Sequence, residues 1–388
     1  MHHFTETKTT SYGENIGNSF KGILLGIVLI IGSIILLSYN EIQSINQIIA
    51  LEEMQSKIVT LPNSNYDAKY EKNPVLVYGE VKPTKPLEDT LFGVKSNGLV
   101  LKRNVQMYQW REKRSTTTEE KLGGSTETTT TYDYVKEWSS TPIDSSSFKY
   151  PQGHQNPPMI YSEATYITDA NIGEFYLSKT VINHFDATNS FNGLSNMPEK
   201  VGELTNYKSF LYKGIDPNNP KIGDIKITYS EAPRGVYTIA GMEQGRALVP
   251  YKTENDKSLL FVRSGQVSAD QIFQEEFSLN SMMTWMLRGL GLLLMFIGFM
   301  LIMGPLSTLA KIIPMLGSLI AGATSIVAGV LTLIIGSLVI AIAWFAVRPL
   351  LSLILIVAGF GLAVVIRKFK KEQTPPIRVG ATPPPRRR

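Results

Sequence analysis

Between Gly22 and Tyr39 the chain reads GILLGIVLIIGSIILLSY, an uncharged run. One helical crossing of a bilayer takes about 20 predominantly apolar residues, so this stretch limits the fold more than any other. A cleavable signal peptide competes with that reading. The following YNEIQS, however, offers no small-x-small cleavage pattern and the preceding charge is weak, which favours a retained signal-anchor. Three more apolar runs fill the C-terminal third: Met286 to Leu306, interrupted by Arg288, then Met315 to Val347 and Leu350 to Ile366, both uncharged. The middle one is longer than one crossing needs. Its first part reads as a reentrant or interfacial piece, with Pro314, Gly317 and Gly322 as breakers.

These runs predict a multi-pass α-helical membrane protein with four spans and a large, mostly β or α+β, non-cytoplasmic domain between spans 1 and 2. The expected order is a cytoplasmic segment 1–21, span 22–39, ectodomain 40–281, span 282–306, a connection or reentrant segment 307–323, spans 324–347 and 350–366, and a basic, Pro-rich tail 367–388. Orientation follows from lysine and arginine. The tail holds eight of them (Arg367, Lys368, Lys370, Lys371, Arg378, Arg386, Arg387, Arg388) against Glu372 alone. The rest of the chain is slightly acidic, so the overall charge of +5 describes a cytoplasmic tail rather than a nucleic-acid surface. An even number of spans then puts the N-terminus on the same side.

Within 40–281 the opening EIQSINQIIALEEMQSKI repeats isoleucine at Ile42, Ile45 and Ile49, the stripe of an amphipathic helix. Short β-type runs follow, broken by Gly, Pro and Asn, and Ser268-x-x-Gln271 has the form of a capping box that opens a helix into the second span. In RNVQMYQW, Val105 and Met107 fall on one face of a strand and Gln106, Tyr108 and Trp110 on the other. Tyr132, Tyr134 and Trp138 share one face of a second strand beyond Gly123-Gly124, so 103–138 reads as a long aromatic hairpin with a Thr-rich tip. A nucleic-acid face, which would need a basic groove tracking phosphates, is not expected, because Glu112, Glu119, Glu120 and Glu127 occupy the same arm.

The chemistry-bearing residues are few. Without cysteine there is no disulfide, thiolate nucleophile or cysteine metal site. His154 and His184 lack metal-ligand spacing, and His154 in GHQNPP reads as a turn histidine bonded to nearby backbone. No nucleophile elbow or phosphate loop is present, so no catalytic, cofactor or metal residue is assigned and the chain is not read as an enzyme.

RNVQMYQW resembles the R-x-V-x-MYQW signature of the LUMA family, also called the transmembrane protein 43 family, carried here by Arg103, Val105, Met107, Tyr108, Gln109 and Trp110. The resemblance continues through Asn40-Glu41, Gly153-His154 with Asn156-Pro157, Ile172-Gly173, Gly223-Asp224, Leu248-Val249-Pro250, Trp285 with Arg288, and Arg348-Pro349. The hairpin arm, the last spans and the proline-arginine tail depart from the family pattern. The resemblance implies four membrane helices and a large non-cytoplasmic domain. Animal members reside in the endoplasmic reticulum and inner nuclear membrane and organise membrane protein complexes, associating with themselves and with emerin and lamins. Bacterial members also exist, for which the equivalent place is the inner membrane with a periplasmic ectodomain.

Two functions from different classes remain open. One is a membrane scaffold acting with the lipid bilayer, with its own copies as a homo-oligomer and with other membrane proteins, using no cofactor and no nucleic acid. The other is an ion-conducting or transporting oligomer, which calls for ionisable groups at membrane depth. The last two spans hold none, and Arg288 sits where it can snorkel outward. Gly22 and Gly26 in the first span and Ala321, Ser325 and Gly329 in the third form small-residue ridges suited to close helix packing, within one chain or between chains. In the tail, Arg367, Lys368, Lys370, Lys371, Arg386, Arg387 and Arg388 are candidates for anionic lipid, or serve only as a topogenic signal.

Overall fold

The computed structural model describes residues 2–61 and 64–347. The expected span 350–366, the tail with its basic residues, Arg348 and Pro349 lie outside the described residues. Helix α1 runs Tyr12–Lys57, started by Ser11, whose hydroxyl accepts the Glu14 amide at 3.3 Å. With no proline inside it, it stays one helix from the N-terminal segment through the apolar run and into the ectodomain. The side it buries there is Ile45, Ala50, Leu51 and Met54, so Ile49 of the expected stripe faces outward. A single turn, α2 (Lys179–Ile182), lies in the ectodomain. Helix α3 (Ala269–Ala310) is capped by Ser268, whose hydroxyl accepts the Gln271 amide. Only half of the expected capping box forms, because the Gln271 side chain donates to Glu275 instead.

Helix α4 (Pro314–Val347) follows a short turn. Of the stretch 307–323, expected as a connection or reentrant segment, 311–313 forms the connection and the remainder is divided between the end of α3 and the start of α4. Pro314 opens the new helix, a position where its missing N–H leaves no hydrogen bond unmade. Three helices among the described residues are long and apolar enough to cross a membrane. The expectation of a four-span helical protein is thereby corrected: the described chain has three spans and a large β-rich domain that includes a small barrel. The charge-based orientation loses its premise of an even count.

Helices α1 and α3 pack antiparallel and very close. A Cβ on Gly26 would stand 2.6 Å from the Gly298 carbonyl oxygen, and one on Gly298 2.9 Å from that of Gly26. Gly22 sits opposite Leu301. The first-span glycines are thus used inside the chain. Gly329 on α4 is looser, its nearest neighbour being Phe296 at 4.0 Å from the Cβ position.

The ectodomain has two main sheets. Strand β1 (His2–Thr10) is an edge of the first; beside it lie β4 (Thr126–Ser139), β3 (Val100–Glu120) and β5 (Ile225–Ala232), with shorter strands beyond. Within the expected cytoplasmic segment 1–21, strand β1 runs along the hairpin, with Thr10 opposite Thr126 and His3 opposite Asp133. The second sheet contains β2 (Pro74–Pro83), β6 (Gly235–Gln244) and β7 (Phe261–Ser264). Pairings from β2 through Ala170–Ile172, Phe175–Leu177 and Ala247–Val249 to β6, and from β6 back to β2, close a small five-stranded barrel. Val75, Val77, Ile172, Phe175, Leu177, Ile239 and Leu248 fill its interior. Ala50, Leu51 and Met54 of α1 and Ile272 and Phe273 of α3 pack with Leu76, Ala240 and Phe261 of the second sheet, so one core joins ectodomain to helices.

Glu243 on β6 is fully buried, and neither carboxylate oxygen has a hydrogen-bond partner among the described residues. Burial, then the neighbouring charges of Glu71 and Asp67, push its carboxyl above the ordinary value of 4.5. The stability linked to this group is fully present below that value and is lost as pH rises through the raised pKa. Glu243→Gln removes the ionised form, so its melting temperature in detergent should exceed that of the parent chain by on the order of 2 °C at neutral pH. The difference should vanish as pH falls below about 4.5.

Candidate functional site

Where α1 leaves its apolar run, polar side chains from all three long helices converge. Glu41 is buried, and its two oxygens accept from Arg288 Nε at 2.6 Å and from the second guanidinium nitrogen at 2.7 Å. Trp344 of α4 donates its indole N–H to Glu41 Oε2, also at 2.7 Å. Asn40 Nδ2 donates to the Thr284 carbonyl, Thr284 Oγ1 to Ser44 Oγ at 2.7 Å, and Asn280 Nδ2 to Ser44. The Arg288 guanidinium lies 4.7 Å from the centre of the Trp285 ring. Arg288 does not snorkel free, as its position in sequence suggested; it is one half of an ion pair.

This arrangement fixes the three long helices against one another. The carboxylate has three charge-assisted donors and the guanidinium a bidentate acceptor, the strong form of such pairs. Asn40, Glu41, Trp285 and Arg288 come together here. The partners Ser44, Asn280 and Trp344 carried no motif signal, although Trp344, the one tryptophan of a long apolar run, was a visible oddity.

A second group assembles at the base of the hairpin. Trp110 donates its amide to Asn156 Oδ1 at 2.7 Å, and Asn156 Nδ2 returns a bond to the Trp110 carbonyl at 2.9 Å. His154 is buried between rings: its centroid lies 3.9 Å from that of Tyr134, stacked, and 4.8 Å from that of Trp110, edge-on, with Nδ1 2.9 Å from the Tyr150 carbonyl. Phe4 of β1 stacks on Tyr150. Burial, then the hydrogen bond to Glu112, pushes the Tyr134 hydroxyl up to about 12, so it remains a donor at neutral pH. Gly153 has φ of +79°, and Pro157 packs where a Cβ on Gly223 would stand, 2.9 Å away.

The third group is core. Arg103 is nearly buried and its Nη1 reaches both Asp89 oxygens, at 2.9 and 2.7 Å, while Tyr229 donates to Asp89 at 2.6 Å. Val105, Met107 and Gln109 point inward, and Tyr108 meets Trp138 across the hairpin at 5.3 Å. Asp89 had no signal in the sequence. On α4, Ala321 and Ser325 are partly exposed with Gly329, and the Ser325 hydroxyl bonds back to Gly322. Among the described residues no cluster of His, Asp and Glu is arranged to hold a metal ion.

The family model described as Transmembrane protein 43 matches residues 107–349. The chain is similar to Transmembrane protein 43 of Pongo abelii, 30% identical over 370 residues, 91% of this chain and 90% of that protein. It is 29% identical to Transmembrane protein 43 of Homo sapiens over 378 residues, 93% of each chain. With the Transmembrane protein 43 homolog of Drosophila melanogaster it shares 29% over 363 residues, 90% of this chain and 95% of that one. No solved structure matches.

Removing one member of a buried pair strands the other. Arg288→Leu leaves the Glu41 carboxylate with the Trp344 indole alone, and a loss of about 3–5 kcal/mol is expected. Adding Glu41→Gln to it should restore a large part of that loss. Thermal unfolding in detergent, followed by protease resistance of the ectodomain, measures both; equal losses in the single and double variants would mean that the pairing itself contributes nothing.

Proposed function

The chain belongs to the transmembrane protein 43 family, and from that premise we propose an integral membrane scaffold that associates with its own copies and organises other membrane proteins, turning over no small molecule. The observation that carries this reading is the rigid mounting of the ectodomain. Helices α1 and α3 pass without interruption from the apolar bundle into the barrel's outer core, and the Glu41–Arg288–Trp344 cluster ties all three spans at that junction. A β-rich body held at a fixed angle to the bilayer suits the presentation of surfaces to neighbours. For a eukaryotic source we place it in the endoplasmic reticulum and inner nuclear membrane, and for a bacterial source in the inner membrane with a periplasmic ectodomain.

One observation favours the second reading, a conducting or transporting oligomer: the charged hairpin arm runs alongside the bundle, as its tip contacts with Asn15 and Lys311 require. Native mass measurement in mild detergent tests self-association, with integer multiples of 43.1 kDa expected and a single monomeric species contradicting it. An ion-flux assay on the same material in liposomes separates the readings. The scaffold predicts no selective current, and a reproducible one would put conduction first.

A further inference from the structure

The hairpin arm lies where polar strands cannot face lipid. Its base is tied into the ectodomain by the reciprocal Trp110–Asn156 hydrogen bonds. Its tip is tied to the opposite end of the bundle: Asn15 Nδ2 donates to the Gly124 carbonyl at 3.0 Å, Thr126 Oγ1 to Asn15 Oδ1 at 3.2 Å, and Lys311 Nζ stands 2.6 Å from Glu120. Tyr12 marks the same end, donating to the Leu309 carbonyl. The ectodomain meets α1 at Gln43 and Asn46. From Asn15 to Gln43 a helix rises about 42 Å, more than the roughly 30 Å of a hydrocarbon core. The strand from Trp110 to Glu120, where Lys311 meets it, covers about 33 Å.

A bilayer that takes up Gly22 to Tyr39 therefore lies between the arm's two anchors. At that depth the arm carries Lys113, Arg114, Glu119 and Glu127, with Glu6 and Lys8 on β1 and threonine at most other places. Non-helical backbone at membrane depth is tolerated only when it is enclosed by protein or lines water. Among the described residues, three helices on one side do not enclose it, and the missing wall has to come from elsewhere.

The strand order says where. In the arm the sheet is only β1, β4 and β3. Among the described residues, strand β1 has one neighbour along its whole length, and β3 loses its second neighbour, β5, beyond Met107. Both edges reach the tip: His2–Thr10 of β1 lies level with Glu112–Glu120 of β3, whose free edge begins at Tyr108. Their levels are set by shared partners on β4: Phe4 and Arg114 flank Tyr132, Glu6 and Thr116 flank Thr130, Lys8 and Thr118 flank Thr128. From Phe4 to Thr10 no residue of β1 shares a level with a like charge on β3. The edges differ from each other, so pairing one against the other is a head-to-tail contact that repeats around an axis and closes into a ring.

We propose that the arms of neighbouring copies pair edge to edge, β1 of one against β3 of the next, to form a closed polar sheet surrounded by the helix bundles. Closure removes both free edges and encloses the charges away from lipid. The occupant of each edge is a second copy of this chain, and the inference rests on the self-association proposed above.

The chain has no cysteine, which makes the test direct. Thr7 and Thr117 both lie opposite Thr129, so within one copy they are two strand spacings apart, about 9.6 Å. That exceeds the roughly 7 Å between Cα atoms that a disulfide can bridge. The full-length Thr7→Cys/Thr117→Cys variant, mildly oxidised in detergent or liposomes, should give a ladder of covalent species beyond dimer, while each single variant stays monomeric on a non-reducing gel. Thr117→Cys/Thr129→Cys, directly opposed within one copy, serves as the control for a folded arm. A monomeric Thr7→Cys/Thr117→Cys variant beside a control that closes its internal disulfide overturns the proposal, as do dimers formed by Thr7→Cys alone. If the parent chain is oligomeric by mass yet no ladder forms, edge pairing fails and self-association stands; a monomeric parent removes both.

Discussion

A carboxylate held out of water at the edge of a bilayer is stable only while its cation is in place, and Glu41 with Arg288 is the contact on which the rest of this molecule depends. Each belongs to a different long helix, and Trp344 brings in the third. Because α1 and α3 continue unbroken into the ectodomain, the registration set at this pair is transmitted directly to Leu51, Met54, Ile272 and Phe273 in the joining core. Shifting one helix by a turn would unmake the ion pair and the core contacts together.

Below that junction the glycines perform a second service. In lipid, helices gain little from the hydrophobic effect and associate through close packing. Gly26 and Gly298 let the backbones of α1 and α3 approach until a methyl group no longer fits, and Gly291 admits Leu37. The close approach and the ion pair support one another, since both demand the same axial register. Helix α4 is held to this pair loosely at Gly329 but closely at Gly336, which admits Leu292, and Trp344 gives it a polar tie.

What could be read from the sequence was what local pattern determines. Three of the four apolar runs, the hairpin with its Gly123-Gly124 tip, the inward Val105 and Met107, and the cap at Ser268 depend on neighbours a few residues away, and these are found among the described residues. The same local reading extended the break before α4 too far: the chain breaks at 311–313, and from Pro314, which fits the first turn, the helix runs on through Gly317 and Gly322. It could not pair Arg103 with Asp89 or Arg288 with Glu41, because those contacts join segments that come together only through the completed fold. Motif resemblance supplied Asn40, Glu41, Trp285 and Arg288 without saying that they touch. The closed barrel was equally out of reach, assembled as it is from strands as short as three residues.

Strand β1 has a consequence for the order in which the chain can be made. Its partner β4 is encoded about 116 residues later, and Phe4 waits for Tyr150 still further on. At synthesis rates of about 5–20 residues per second, the first ten residues spend on the order of 6–23 s without a partner while α1 is already complete. For that interval the N-terminus is an unpaired, Thr-rich strand attached to a finished membrane helix, a natural substrate for a chaperone or for premature pairing with the arm of a neighbouring copy.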